Sequence, residues 1–217
     1  MPDWTVLANV GTALGTLVLA VATFAAVRSG NRSARIAERT LLAGLRPLLV
    51  PSRPQDQDED VLFADGRNFS VGGGRPLIRE DAGVVYLAIP LRNVGAGVAV
   101  LKGYRLEAEA SARVAEDPLG PARHRRGDPV PERSDFLRQQ RDIYVPAAGP
   151  GFWQAGLRDP RSPLYSAVSD AVRTGGRITV DLLYEDHEGG QPAISRFVLR
   201  PDKRGWRCDV TRHWRLA

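Results

Sequence analysis

The stretch VVYLAIPLRNVGAGVAVLKGYRLEAEA, residues 84–110, decides the fold. Residues 84–91 are nearly unbroken apolar chain, which reads as a strand covered on both faces. Residues 98–110 follow as a second long strand, in which Val98, Val100, Tyr104 and Leu106 alternate with residues facing the other way. Between them, Asn93, Val94, Gly95, Ala96 and Gly97 form a strand-to-strand connection. Asn and Gly at such a junction are expected to supply positive φ and side-chain capping of the local backbone.

Downstream, residues 116–135 are a loop rich in Pro, Arg and Asp. Its tripeptide Arg126-Gly127-Asp128 is an adhesion signal only outside cells and is set aside. Residues 143–145 and 152–154 read as short strands flanking a Pro/Gly turn. Ser162 as N-cap and Pro163 at the first helical position predict a short helix. Its buried side is Leu164, Val168, Ala171 and Val172, and Gly175 or Gly176 ends it. Residues 177–185 and 193–200 then alternate as a hairpin, and residues 206–210 read as a last strand.

Upstream, residues 54–60 are acidic and read as a solvated loop, and residues 70–74 as a flexible one. Leu48, Leu49, Val50 and Pro51 begin the first strand. Before them, residues 28–46 resume a helical pattern after Gly30-Asn31 and stop at Pro47. Arg28, Arg32, Arg35, Arg39 and Arg46 fall on one side of that helix, with Ala34, Ala37, Leu41 and Leu45 opposite. A basic stripe of this kind is suited to anionic lipid headgroups.

Residues 4–27 carry no charge. As a helix of about 1.5 Å per residue they exceed a hydrocarbon core of about 30 Å, which predicts a transmembrane helix. A cleaved signal peptide is disfavoured, because the leader contains Asp3 and no Lys or Arg. With the arginines following the span, the positive-inside rule places the N-terminus outside and the C-terminal domain in the cytoplasm of a single-pass cell-membrane protein. Gly11 and Gly15 form a G-x-x-x-G pair, a face for helix association and a homodimer.

The organisation expected is therefore a transmembrane helix over 4–27, a basic amphipathic juxtamembrane helix over 28–46 and a β domain over 47–217. The chain is mainly β, an antiparallel immunoglobulin-like β-sandwich with one short inserted helix. The run from Leu91 through Asn93, Gly95, Gly97 and Ala99, with Tyr184, Asp186 and Gly189, resembles a group of bacterial single-pass membrane proteins. They carry one N-terminal span and an immunoglobulin-like domain with L-x-N-x-G-x-G-x-A and Y-x-D-x-x-G motifs. The resemblance implies the fold and brings no activity with it. Only Lys102 and Lys203 of the 30 basic residues are lysine, a bias of GC-rich bacterial genomes.

The net charge of +5 sits mainly beside the span. The β domain is nearly neutral, which argues against a nucleic-acid partner. His124, His187 and His213 lie far apart with no metal-ligand spacing, and Gly95-Ala96-Gly97 is no dinucleotide cradle. Cys208 on an alternating strand reads as a small core residue. Asp181, Glu185, Asp186 and Glu188 read as solvated charges near a hairpin tip, and the arginines around Trp206 and Trp214 as stems covering the rings. No catalytic site, cofactor or metal is expected. The expected function is a cytoplasmic module that binds or scaffolds an unknown protein partner. The alternatives are a membrane effector or assembly subunit that oligomerises through its span, and an enzyme with an unrecognised site.

Overall fold

The computed structural model describes residues 4–111 and 129–216. Asp3, His124 and the Arg126-Gly127-Asp128 tripeptide lie outside the described residues. The chain divides into two compact units, residues 1–44 and 45–217.

The first unit is one helix, α1 (Trp4–Gly44), of 41 residues. It runs through Gly30-Asn31, where the sequence suggested a junction. A single helical glycine costs only about 1 kcal/mol relative to alanine, and the good helix formers on either side outweigh it. The helix stops at Gly44, three residues before Pro47. Its stretch Ala8–Leu42 is long and apolar enough to cross a membrane. The hydroxyls of Thr12, Thr16, Thr23 and Thr40 each donate to the carbonyl four residues earlier at 2.8–2.9 Å. Each of these side chains is therefore satisfied within the helix.

The second unit is mainly β, built of antiparallel sheets. Its elements run β1 (Leu49–Pro51), β2 (Glu59–Leu62), β3 (Asn68–Val71), β4 (Leu77–Asp81), β5 (Val84–Asn93) and β6 (Ala99–Glu109). A 3-10 turn (Arg133–Asp135), β7 (Leu137–Val145), β8 (Pro150–Leu157), α2 (Pro163–Thr174), β9 (Arg177–Asp186), β10 (Ala193–Asp202) and β11 (Gly205–Arg215) follow. β5 centres the first sheet: β8 runs along one edge, while β4 and β1 share the other in succession. The second sheet has the order β11-β10-β9-β6-β7. The β5–β6 connection therefore passes from one sheet to the other.

β5 is covered on both faces, as its apolar run requires. Val85, Leu87, Ile89 and Leu91 enter one core shared by both sheets and α2, together with Trp153, Leu182 and Phe197. Tyr86 and Ala88 point the other way, into a smaller cluster with Val61, Phe63 and Val71. The hairpin β2–β3 carries these last three, and Phe63, Phe69 and Tyr86 meet with ring centroids 4.9–5.7 Å apart. The reading of 54–60 and 70–74 as loops overlooked this hairpin, although Asp65-Gly66, with Gly66 at φ 82°, is a hairpin-turn pair.

α2 closes the domain against β4 and β6. Its cap differs in detail from expectation: the Ser162 side chain makes no capping bond, while Gly175 ends the helix in the left-handed region at φ 66°. Tyr165 and Ser169 on the buried face reach the Glu80 carboxylate at 3.4 and 3.0 Å.

The acidic segment 54–60 is fastened. Asp56 takes a forked pair of bonds from Arg92 (2.6 and 3.2 Å) and one from the Arg53 amide (2.7 Å). The Arg92 bonds first, and the Arg53 amide second, lower its pKa from 3.8 to about 2. A carboxyl group whose folded pKa is depressed stabilises the fold above its unfolded value, and that contribution is lost as the pH falls through the folded one. In urea unfolding, wild type is expected to exceed Asp56→Asn in stability at about pH 5, with the gap closing by about pH 2. A gap unchanged across that range contradicts the assignment.

Candidate functional site: the junction behind the helix

Both short motifs converge on one place, the chain segment 45–49 that leaves α1 and enters β1. Asn93, at the end of β5, is fully buried. Its Oδ1 accepts from the amides of Leu48 and Gly95, each at 3.0 Å. Its Nδ2 donates to the carbonyls of Gly97 (2.6 Å) and Val145 (3.2 Å). The side-chain amide thereby uses both donors and two acceptor positions, leaving no unpaired polar atom in a dry site. Backbone bonds add to the grip: Val94 donates to Leu48 at 2.8 Å and Asn93 to Gly149 at 3.0 Å.

Gly95 and Gly97 serve by absence of a side chain. Neither is among the glycines with positive φ, which corrects the expectation of left-handed backbone here. A Cβ on Gly95 would lie 2.2 Å from the Arg46 carbonyl oxygen, and one on Gly97 1.7 Å from that of Leu45. The backbone of 45–47 lies against the turn at a spacing that only glycine permits.

The second motif supports the same segment from the β9–β10 hairpin. Tyr184 is fully buried, and its hydroxyl accepts from the Leu49 amide at 3.4 Å. Asp186, 4% exposed, accepts from the amides of Glu188 (3.1 Å) and Gly190 (2.8 Å), and Gly189 turns at φ 77°. That turn presents Gln191, whose Oε1 accepts from Arg46 Nε at 2.9 Å.

The predicted site residues are therefore divided. Gly11 and Gly15 lie on α1, where an added Cβ would meet nothing within 4 Å. Arg28, Arg32 and Arg35 are exposed on the same helix, and the side chain of Arg39 lies outside the described residues. Arg46 leaves that group altogether: it follows the helix end and is bonded within the β unit.

Two of the supposed solvated carboxylates are buried instead. Asp181, 1% exposed, receives both Nε and Nη2 of Arg196 at 2.7 and 2.8 Å and Arg105 at 3.4 Å. Asp186 forms the turn just described. Glu185 pairs with Lys102 at 2.8 Å. The guanidinium groups of Arg196 and Arg212 cover the ring of Trp214 at 5.0 and 5.3 Å.

Sequence reading also missed a hydroxyl–imidazole pair. Ser195 Oγ lies 2.7 Å from His213 Nδ1 and 2.8 Å from the Tyr184 hydroxyl. Only the register of β10 on β11, which sets Ser195 opposite His213, brings them together. Ser195 is fully buried, so its hydroxyl has no route to a substrate and bonds instead as part of the core. Burial pushes the Cys208 thiol up and keeps it protonated. Among the described residues no cluster of His, Cys, Asp and Glu is placed to hold a metal ion.

Asn93→Ala is expected to cost about 1–3 kcal/mol by leaving the Leu48 and Gly95 amides unpaired. Gly97→Ala is expected to cost a comparable amount through collision with the Leu45 carbonyl. Chemical unfolding of the full chain in detergent reads both, and Gly11→Ala, in open space within α1, is the control expected not to destabilise. No protein-family model matches the chain, and neither does any curated protein or solved structure.

Proposed function

We propose that the chain is a single-pass membrane protein whose α1 spans the bilayer and whose β unit, an immunoglobulin-like sandwich on the cytoplasmic side, binds or scaffolds another protein. One observation carries the membrane reading. Val10, Leu14, Leu17, Val18, Leu19, Val21, Phe24 and Val27 point to all sides of α1, and each is more than half exposed. Hydrocarbon asks nothing to cover such a surface, whereas water does. The self-satisfied threonine hydroxyls fit the same surroundings. The bacterial resemblance of the two motifs agrees with this reading.

The unbroken helix refines the lipid contact. Arg28 and Arg32 lie within about 8 Å of residue 27 along the axis, the depth of a headgroup layer. Arg35 and Arg39 stand farther out, and Arg46 belongs to the β unit.

A second reading, self-association through α1, gains from the helix being continuous. At about 100° per residue, an arc of about 80° carries Ala8, Gly11, Gly15, Ala22, Ala26, Ser29, Ser33, Ala37, Thr40 and Gly44. Leu19 is the one larger residue in that arc from Ala8 onward. Small residues in line allow two helices to approach closely.

Alkaline extraction of native membranes is expected to leave the chain in the pellet. Protease added to intact spheroplasts is expected to spare the β unit, and protease added to inverted vesicles to remove it. Release into the supernatant would refute the span, and digestion in intact spheroplasts would reverse the orientation. Replacing Gly11 and Gly15 by Ile is expected to weaken self-association in a membrane two-hybrid assay; unchanged signal removes the second reading.

A further inference from the structure

We propose that His213 is a proton sensor for the junction: its protonation upsets the one-way chain of hydrogen bonds that holds the Leu49 amide, and so loosens the start of β1. The chain lies wholly within the β unit and does not depend on where α1 resides.

Its direction is set by the one group that cannot reverse. The Leu49 N–H only donates, so the Tyr184 oxygen accepts it at 3.4 Å. The remaining partner of the Tyr184 hydroxyl among the described residues is Ser195 Oγ at 2.8 Å, so Tyr184 donates there. Ser195, now an acceptor, turns its own proton to His213 Nδ1 at 2.7 Å. That places a bare Nδ1 toward Ser195 and the ring proton on Nε2. Tyr184 and Ser195 are both fully buried, so neither hydroxyl has water as a substitute.

A proton on Nδ1 makes His213 a donor and breaks the sequence. Either Ser195 receives two donors and its own proton has no acceptor, or the chain reverses and Tyr184 is left with an unpaired proton against the Leu49 amide. In both cases a buried hydroxyl proton, on Ser195 or on Tyr184, loses its acceptor, and the support under the Leu49 amide is weakened.

Access and surroundings suit a sensor. His213 is an exposed residue on β11, at the outer edge of the second sheet, so solvent reaches it. The side of the ring toward Ser195 is desolvated, which lowers its pKa from 6.5. The strands packed most closely on β11 are β10 and β1. Toward His213, β10 presents Ser195, then Ala193 opposite Arg215, and β1 contains only Leu49, Val50 and Pro51. Tyr184 is the titratable group from β9, and Arg215 the charged group along β11. No carboxylate among these holds an imidazolium in place. The neutral ring thus stabilises the fold above its unfolded value, and that contribution is lost as the pH falls.

Hydrogen exchange of peptides containing Leu49 tests this on the full chain in detergent micelles, corrected for intrinsic exchange, at about pH 7.5 and at about pH 4.5, the lower value chosen to lie well below the ordinary imidazole value because that of His213 is depressed. Wild type is expected to lose protection there by about tenfold at the lower pH, the effect of one lost hydrogen bond. His213→Gln, whose amide oxygen still accepts from Ser195, is expected to keep it at both. Unchanged wild-type protection, or an equal loss in His213→Gln, overturns the proposal. Should that variant fail to fold, an NMR titration of the wild type decides: a Leu49 amide that shifts with the same midpoint as the His213 ring supports the sensor, and a Leu49 amide that stays still while the ring titrates overturns it.

Discussion

The structure depends on the four hydrogen bonds of one buried amide. Asn93 ties together three pieces of chain that are remote in sequence: the segment after α1, its own turn, and the end of β7 at Val145. No other short side chain offers two donors and an acceptor for two amides in that geometry. The bare faces of Gly95 and Gly97 make the approach possible, and Tyr184 continues the support one residue further, at Leu49. A pattern that looks in sequence like a turn between two strands is, in three dimensions, the seat of a third segment.

This places the demands on the domain in an unusual order. The central strand β5 lies between two apolar clusters, and its last residue is given over to holding the chain that enters the sheet. Asp56 and Arg92 secure the neighbouring loop, and Asp186 shapes the turn that carries Gln191 to Arg46. Polar groups with complete partner sets are gathered around this junction. A fully satisfied buried network of that kind specifies one arrangement and penalises alternatives.

What could be read from sequence followed from periodicity. The apolar run of β5, the alternation of β9 and β10 and the uncharged start of α1 each carry a signal longer than one turn, so local exceptions do not hide it. The misreadings have local causes. Gly30-Asn31 has the composition of a break, but the helix on both sides carries it through. Val61, Phe63, Phe69 and Val71 were obscured by acidic and glycine-rich neighbours, leaving Asp65-Gly66 as the signal for their hairpin. Gly95 and Gly97 were given a dihedral role when their role is spatial, a difference invisible without the segment that lies on them. Asp181 and the Ser195–His213 pair depend on strand register, and the β10–β11 register shifts between Arg196 and Phe197, which composition does not reveal.

The pairing of β5 with β8 has a consequence in time. Roughly sixty residues separate the two strands, so at synthesis rates of about 5–20 residues per second β5 waits on the order of 3–12 s for its longest neighbour. During that interval α1 has already emerged, while the most apolar strand of the domain has one edge uncovered. The β2–β3 hairpin, made before β5, is already there to cover the face that carries Tyr86 and Ala88. The early hairpin, a separate two-stranded sheet, thus shields one face of β5 while its β8 edge still waits.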